Sequence, residues 1–169
     1  MKRKFFYIVP LFFILASCGK PRPQIPANKN IAVDSTEINL RKINETLAVK
    51  EDSVIQAMVS KQNVPFKKNA VGIWYYKEKE TSRELLTKSA SPTVSYTVST
   101  LAGETLESKK INIRFGKKEI PVGLEEGLKL MRAGDKMRLI VPWYLGYGIT
   151  GNDNIPAYTS LMYEIISEE

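Results

Sequence analysis

From Ser35 to Asn63 the apolar residues recur at intervals of three and four: Ile38, Leu40, Ile43, Leu47, then Val54, Ile55, Met58 and Val59. No proline or glycine interrupts the run, and the positions between carry charge of both signs. Asp34, followed three residues later by Glu37, has the form of a capping box. The spacing predicts one amphipathic helix over 34–63. Its apolar stripe needs a partner, and the pattern leaves two open: the domain that follows, or a second copy of the helix in a homodimer.

After Phe66 the period shortens to two. "AVGIWYYKEK" (70–79) is rich in β-branched and aromatic residues, and "PTVSYTVSTL" alternates Val94, Tyr96 and Val98 against small polar residues. "AGETLES" reads as a turn, and "INIRFG" alternates Ile111, Ile113 and Phe115. "PVGLEEGLKLMRAG" predicts a short helix with Leu124, Leu128 and Met131 on one face, stopped by Gly134. Two further alternating runs follow, with Met137, Leu139 and Val141 in one and Leu161, Tyr163 and Ile165 in the other. Between them lies "VPWYLGYGITGNDNIP" (141–156), whose glycines, prolines and asparagines favour turns although it also holds Trp143, Tyr144 and Tyr147. Strands around one short helix predict an α+β domain over 64–169, a mostly antiparallel sheet with the helix on one face.

The segment before the long helix has a different character. "MKRK" and the apolar run that follows have the layout of an export signal, too short to span a bilayer at ~20 residues. The run ends in "LASC", Leu15–Cys18, which resembles a bacterial lipobox. That resemblance implies cleavage after residue 17 and a lipidated Cys18, with several acyl chains supplying the anchoring signals that stable membrane attachment requires. Residues 18–33, rich in proline, would then be an extended tether. Cleavage removes Lys2, Arg3 and Lys4, lowering the net charge of +7 by three. The remaining basic residues are scattered, as at Lys67-Lys68, Lys109-Lys110 and Lys117-Lys118, and read as solvated surface; an exported chain of this kind is not expected to bind nucleic acid.

The chain has no histidine and one cysteine. Histidine-based triads and His/Cys metal sites are therefore excluded, and neither metal nor cofactor is expected. Any catalysis must come from carboxylates, tyrosines, backbone groups or the shape of a pocket.

The series "VSYTV", "LAGETLES", "FGKKEIPVGLEEGLKLMRAGDKMRLIVPWYLGYGITG", "IP" and "SLMYEI" resembles the FK506-binding-protein (FKBP) type of peptidyl-prolyl cis-trans isomerase, from about Ala70 to Glu164. The resemblance implies a curved antiparallel sheet wrapped around one short helix, and catalysed rotation of X-Pro amides in exported or unfolded chains. It assigns the catalytic positions to Tyr96, Glu107, Tyr147 and Tyr163, with the Tyr147 hydroxyl donating to a substrate carbonyl. It assigns the substrate-binding lining to Leu106, Ile111, Ile120, Pro121, Leu124 and Ile155, and explains the loop aromatics as walls of the cavity. Several positions depart from the family pattern. Leu106-Glu107 stand for Phe-Asp, Ile111 for Phe and Leu124 for Trp, and Pro121 replaces a residue whose N–H donates to substrate. The lipobox and "GIWYY" make the chain similar to the gliding-motility-associated lipoproteins of that family. Attachment to the periplasmic face of the outer membrane is the expected location. The alternative is a binding or chaperone module with little turnover, within a gliding or secretion machine of the envelope.

Overall fold

The computed structural model describes residues 35–168. Cys18, the leader, the proline-rich tether and Asp34 of the capping box lie outside the described residues. Among the described residues, helix α1 spans Ser35–Val59 and α2 Val122–Leu128; strands β1 Lys67–Lys68, β2 Trp74–Lys79, β3 Thr93–Thr100, β4 Thr105–Asn112, β5 Lys136–Val141 and β6 Leu161–Ser167 form one six-stranded sheet. The strand order is β1-β2-β5-β6-β3-β4, antiparallel at every pairing.

The alternation read from sequence sets the two faces. Val94, Tyr96 and Val98 of β3, Met137, Leu139 and Val141 of β5, and Leu161, Tyr163 and Ile165 of β6 are buried together on the concave face. Register stacks them in rows, with Leu139 opposite Tyr163 and Tyr163 opposite Val98. Helix α2 closes this face with Leu124 and Leu128, both buried. Its approach is close because Gly123 and Gly127, one helical turn apart, face β5. A Cβ on Gly123 would stand 2.4 Å from Val141 Cγ1, and one on Gly127 would stand 2.4 Å from Leu139 Cδ2.

The convex face is covered in part by α1. Ile55 and Val59 pack on Ile140, flanked by Met58, Phe66, Trp74, Leu101 and Met162. Burying Ile55 completely contributes about 1.5–3 kcal/mol. Polar ties fix the same stretch: Asp52 pairs with Lys68 at 2.7 Å, and Glu51 accepts from Ser160. Earlier in α1 the apolar residues stay in solvent, with Ile38, Leu40 and Ile43 each more than half exposed. The first of the two expected partners, the domain itself, thus takes the C-terminal part of the helix only. No described helix is long and apolar enough to cross a membrane.

Local boundaries differ from the sequence reading for identifiable reasons. The helix ends at Val59 and residues 60–63 form turns. The strand expected over 70–79 begins at Trp74, because the Asn69 carboxamide accepts the amides of Val71, Gly72 and Ile73 and holds them in a loop. The turn expected over "AGETLES" is confined to Thr100–Glu104, closed by Thr100 N–H donating to Glu104 O at 2.8 Å, so Leu106 and Glu107 are strand residues. Ile113 and Phe115 lie beyond the end of β4. Helix α2 stops at Leu128: the amides of Leu130 and Met131 reach back only three residues, to Gly127 and Leu128, and tighten the last turn. Gly134, at φ +81°, turns the chain into β5 instead of ending the helix.

Candidate active site

The aromatic site lies on the concave face, where β3, β4, β6, α2 and the loop after β5 converge. Tyr96, Leu124, Ile155 and Tyr163 are buried in one apolar cluster, and Leu106, Ile111, Ile120 and Tyr147 pack against it, partly exposed. Tyr96 and Tyr163 meet edge to face, centroids 5.6 Å apart, a favoured aromatic geometry. Leu124 points from α2 into the cluster at 1% exposure and forms its floor. Pro121 sits at the N-cap of α2 (φ −55°, ψ 144°), and its carbonyl accepts the Glu125 amide at 3.0 Å. Proline costs nothing at the start of a helix, where an N–H would lack an intrahelical partner.

The polar groups are few and ordered. Tyr96 Oη donates to Glu107 Oε1 at 3.3 Å, and Glu107 Oε2 takes Lys109 Nζ at 2.7 Å. Lys109 lies directly opposite Tyr96 in the β3–β4 ladder. It was read as solvated surface because it is adjacent to Lys110. Strand alternation separates the pair, turning Lys109 to the side of Glu107 and Tyr96, and Lys110 toward Glu168. Two charges of opposite sign spaced by two on one strand were the available signal.

The site's phenols are held neutral. Burial pushes the Tyr96 hydroxyl well up, and the nearby Glu107 charge pushes the same way. Burial raises Tyr163 further, with Tyr147 and Tyr96 adding to it. Tyr147 is raised by burial and by Glu107. The bond to Glu107 raises Lys109 above its ordinary value. All three tyrosines are therefore hydroxyl donors across the neutral and mildly alkaline range. The Tyr163 hydroxyl is buried and makes no hydrogen bond of ideal geometry, but it lies close enough to the Tyr147 hydroxyl for the two to interact, which raises Tyr163 and offsets part of the rise at Tyr147.

The loop after β5 corrects one expectation. Its aromatics do not all wall the cavity. Tyr147 packs on the apolar cluster. Trp143, by contrast, meets Tyr144 edge to face (centroids 5.5 Å apart) and lies tilted against Tyr158 (4.9 Å). Trp143 and Tyr158 share a surface groove with Leu47, Glu51 and Val54 of α1. The physical reason is the loop's own turn chemistry. A short 3-10 turn at Trp143–Leu145 sends successive side chains in different directions. At Gly151 (φ +65°) a Cβ would stand 2.2 Å from Ile155 O, so the chain folds back tightly there. The Asn152 side chain then accepts the Asn154 and Ile155 amides, which sets Ile155 into the cluster.

With this geometry in hand, comparison with known proteins is specific. The family described as FKBP-type peptidyl-prolyl cis-trans isomerase matches residues 83–166, the segment that supplies the site. An FkpA isomerase from Buchnera aphidicola (subspecies Schizaphis graminum) is 35% identical over 104 residues, covering 58% of this chain and 40% of that protein. The chain thus spans less than half the length of that curated relative. Among solved structures, FkpA from Escherichia coli superposes with a TM-score of 0.62 at 20% identity, covering 81% of this chain and 65% of that one. AtFKBP13 gives 0.58 at 21% identity, covering 62% and 98%. Matched by sequence through its site segment and by fold across the sheet, the chain belongs to the FKBP-type peptidyl-prolyl cis-trans isomerase family.

Proposed function

We propose that this domain catalyses cis-trans isomerisation of X-Pro bonds in exported or unfolded chains. The observation that carries the reading is the gathering of three neutral phenols, Tyr96, Tyr147 and Tyr163, with Leu124 and Ile155 in one apolar cluster. A neutral phenol in an apolar site is a donor that a ligand carbonyl can use. The X-Pro amide resists rotation because twisting destroys its resonance, a barrier of about 18–20 kcal/mol. The twisted amide is less polar than either planar form. A water-poor pocket floored by Leu124 and Ile155 therefore favours the transition state over the ground state. Tyr147 and Tyr163 hold flanking carbonyls, while Glu107, itself fixed by Lys109, keeps the Tyr96 ring in place. No bond is made to the protein. The test is acceleration of isomerisation in a short X-Pro peptide by the lipid-free protein; no acceleration above background would leave a binding module. The specific feature favouring that second reading is the smaller lining at Leu106, Ile111 and Leu124 together with Pro121, which has no N–H to offer substrate.

We propose further that Cys18 is lipidated and tethers the domain to the periplasmic face of the outer membrane. The support is the basic and apolar leader ending in "LASC". Cys18→Ser should leave an unprocessed or soluble form, and wild-type protein found wholly in the soluble periplasm would refute the anchor. The exposed stripe of α1 supports pairing with a second copy of the chain. A role within a gliding or secretion machine rests on the sequence resemblance alone.

A further inference from the structure

Helix α1 and the loop that carries Tyr147 are joined by a hydrogen-bonded relay. Ser160 is 5% exposed and lies just before β6. Its Oγ accepts the Trp143 amide at 3.0 Å and donates to Glu51 Oε1 at 2.5 Å, across 109 residues of sequence. One hydroxyl thus uses both its donor and its acceptor capacity between two elements that share no local chain.

The placement gives the relay its consequence. Trp143 opens the 3-10 turn Trp143–Leu145, whose amides at Leu145 and Gly146 bond back to Pro142 and whose Trp143 carbonyl takes the amides of Gly146 and Gly148. Gly146 and Gly148 bracket Tyr147. The Trp143 amide is therefore the point from which the Tyr147 segment is hung, and the Glu51 carboxylate, through Ser160, holds it. An ionised acceptor makes the hydrogen bond of the serine short and strong. Ordering of Ser160 also polarises its lone pair toward the amide. Tyr144 gives independent support: its hydroxyl, raised first by burial, also feels the charges of Asp52 and Glu51. The acidic turn of α1 thus faces the first turn of the loop at more than one point.

We infer that Glu51 is a positioning residue for the Tyr147 loop, acting through Ser160, so that docking of the N-terminal helix sets the geometry of the pocket wall. This rests on the isomerase reading for its catalytic consequence but not for its structural one. The helix is then part of the site's machinery and not only an attachment arm.

The experiment uses the full chain lacking only the leader and lipid, with two readouts on each variant: amide hydrogen exchange at Trp143–Gly148, and kcat/KM for an X-Pro peptide. Glu51→Ala and Ser160→Ala are each expected to speed exchange in this loop more than in β3 and β6. Each should lower kcat/KM about three- to tenfold, the worth of one oriented hydrogen bond. The double variant should be no worse than either single one, because both cut the same relay. Glu51→Gln, which keeps an acceptor, should restore most of the loss. Uniformly faster exchange over the whole sheet, additive losses, or a Glu51→Ala variant unchanged in the loop would overturn the inference. So would a loosened loop with wild-type kcat/KM. If the wild-type protein has no isomerase activity, the isomerase reading fails, and selective loop exchange with rescue by Glu51→Gln then decides the relay by itself.

Discussion

Tyr163→Phe separates stability from function with opposite signs. In the native structure the Tyr163 side chain is 1% exposed, and its hydroxyl has no partner of ideal geometry, only the neighbouring Tyr147 hydroxyl. In the unfolded chain the same hydroxyl is hydrated, so folding strips its water and returns only the imperfect contact with Tyr147. Removing the oxygen should recover part of the desolvation cost, about 1–3 kcal/mol. The ring itself stays: its edge-to-face contact with Tyr96 and its place between Leu139 and Val98 need only carbon. At about 2–4 °C per kcal/mol for a chain of this size, Tm should rise by roughly 2–10 °C. If the hydroxyl is held for a substrate carbonyl, the same change removes one donor worth about 0.5–1.5 kcal/mol and lowers kcat/KM up to about tenfold.

The assay is thermal unfolding and peptide isomerisation on one preparation. A stabilised, slower enzyme supports the reasoning. A destabilised variant would refute it, showing that the hydroxyl has a native partner, with Tyr147 the first to examine since it lies close enough to raise the Tyr163 pKa. A stabilised variant of unchanged kcat/KM would remove Tyr163 from the donors and leave Tyr147 alone in that role.

Gly127→Ala should destabilise by about 1–3 kcal/mol of overpacking, less up to about 1 kcal/mol of gained helix propensity, because its Cβ meets Leu139; combining it with Leu139→Val, which lacks the clashing Cδ, should be better than additive in urea unfolding. Asp135 is fully buried. Burial would raise its carboxyl, but the amides of Arg132 and Thr81, the Thr81 hydroxyl and Lys77 overcome this and hold it below its ordinary 3.8. Its contribution is therefore complete above that pH and lost as pH falls through the lower native value. Asp135→Asn should cost stability at neutral pH and flatten the acid limb of Tm below about pH 4. Because burial keeps Tyr96, Tyr147 and Tyr163 protonated beyond their ordinary 10.0, isomerisation should be flat from pH 6 to 9; a sigmoidal loss within that range would mean that a site phenol ionises early.

Much of the site was legible because its residues sit on regular elements. Alternation placed Tyr96 and Tyr163 on the buried faces of β3 and β6, and helical spacing placed Leu124 on the inner face of α2. The resemblance supplied their grouping. What sequence could not show was contact between distant elements. The bond from Ser160 to Glu51 spans 109 residues and joins a residue of no pattern to one on a charged helix face. Lys109 was hidden by its neighbour, since a lysine pair reads as surface until the strand's pleat divides it. The loop aromatics were read as one set, yet the 3-10 turn divides them between pocket and α1. Hydrophobicity marks a residue as needing cover without saying which surface covers it.

Helix α1 shows the same limit, and its two parts lead to the last prediction. Its 25 residues extend roughly 37 Å, whereas its buried contacts with the sheet begin only near Glu51 and centre on Ile55 and Val59. Leu40, Leu47 and Val54 recur every seven residues with Ile43 between, and all remain exposed. A seven-residue repeat keeps its seam on one side of a supercoiled pair, which a single-layer contact with a globular domain does not require. A second copy of the chain is the partner that repeat fits. Ile43→Glu, within the seam and clear of both the sheet contact and the Trp143 groove, should therefore halve the solution mass of the lipid-free chain while leaving the domain's stability within about 0.5 kcal/mol of its original value. Glu51 lies about two helical turns beyond Ile43, so the monomeric variant also tests whether pairing bears on the relay: exchange at Trp143–Gly148 should stay unchanged if docking on the sheet alone holds Glu51 in place. An unaltered mass would show that the seam pairs with nothing of its own kind.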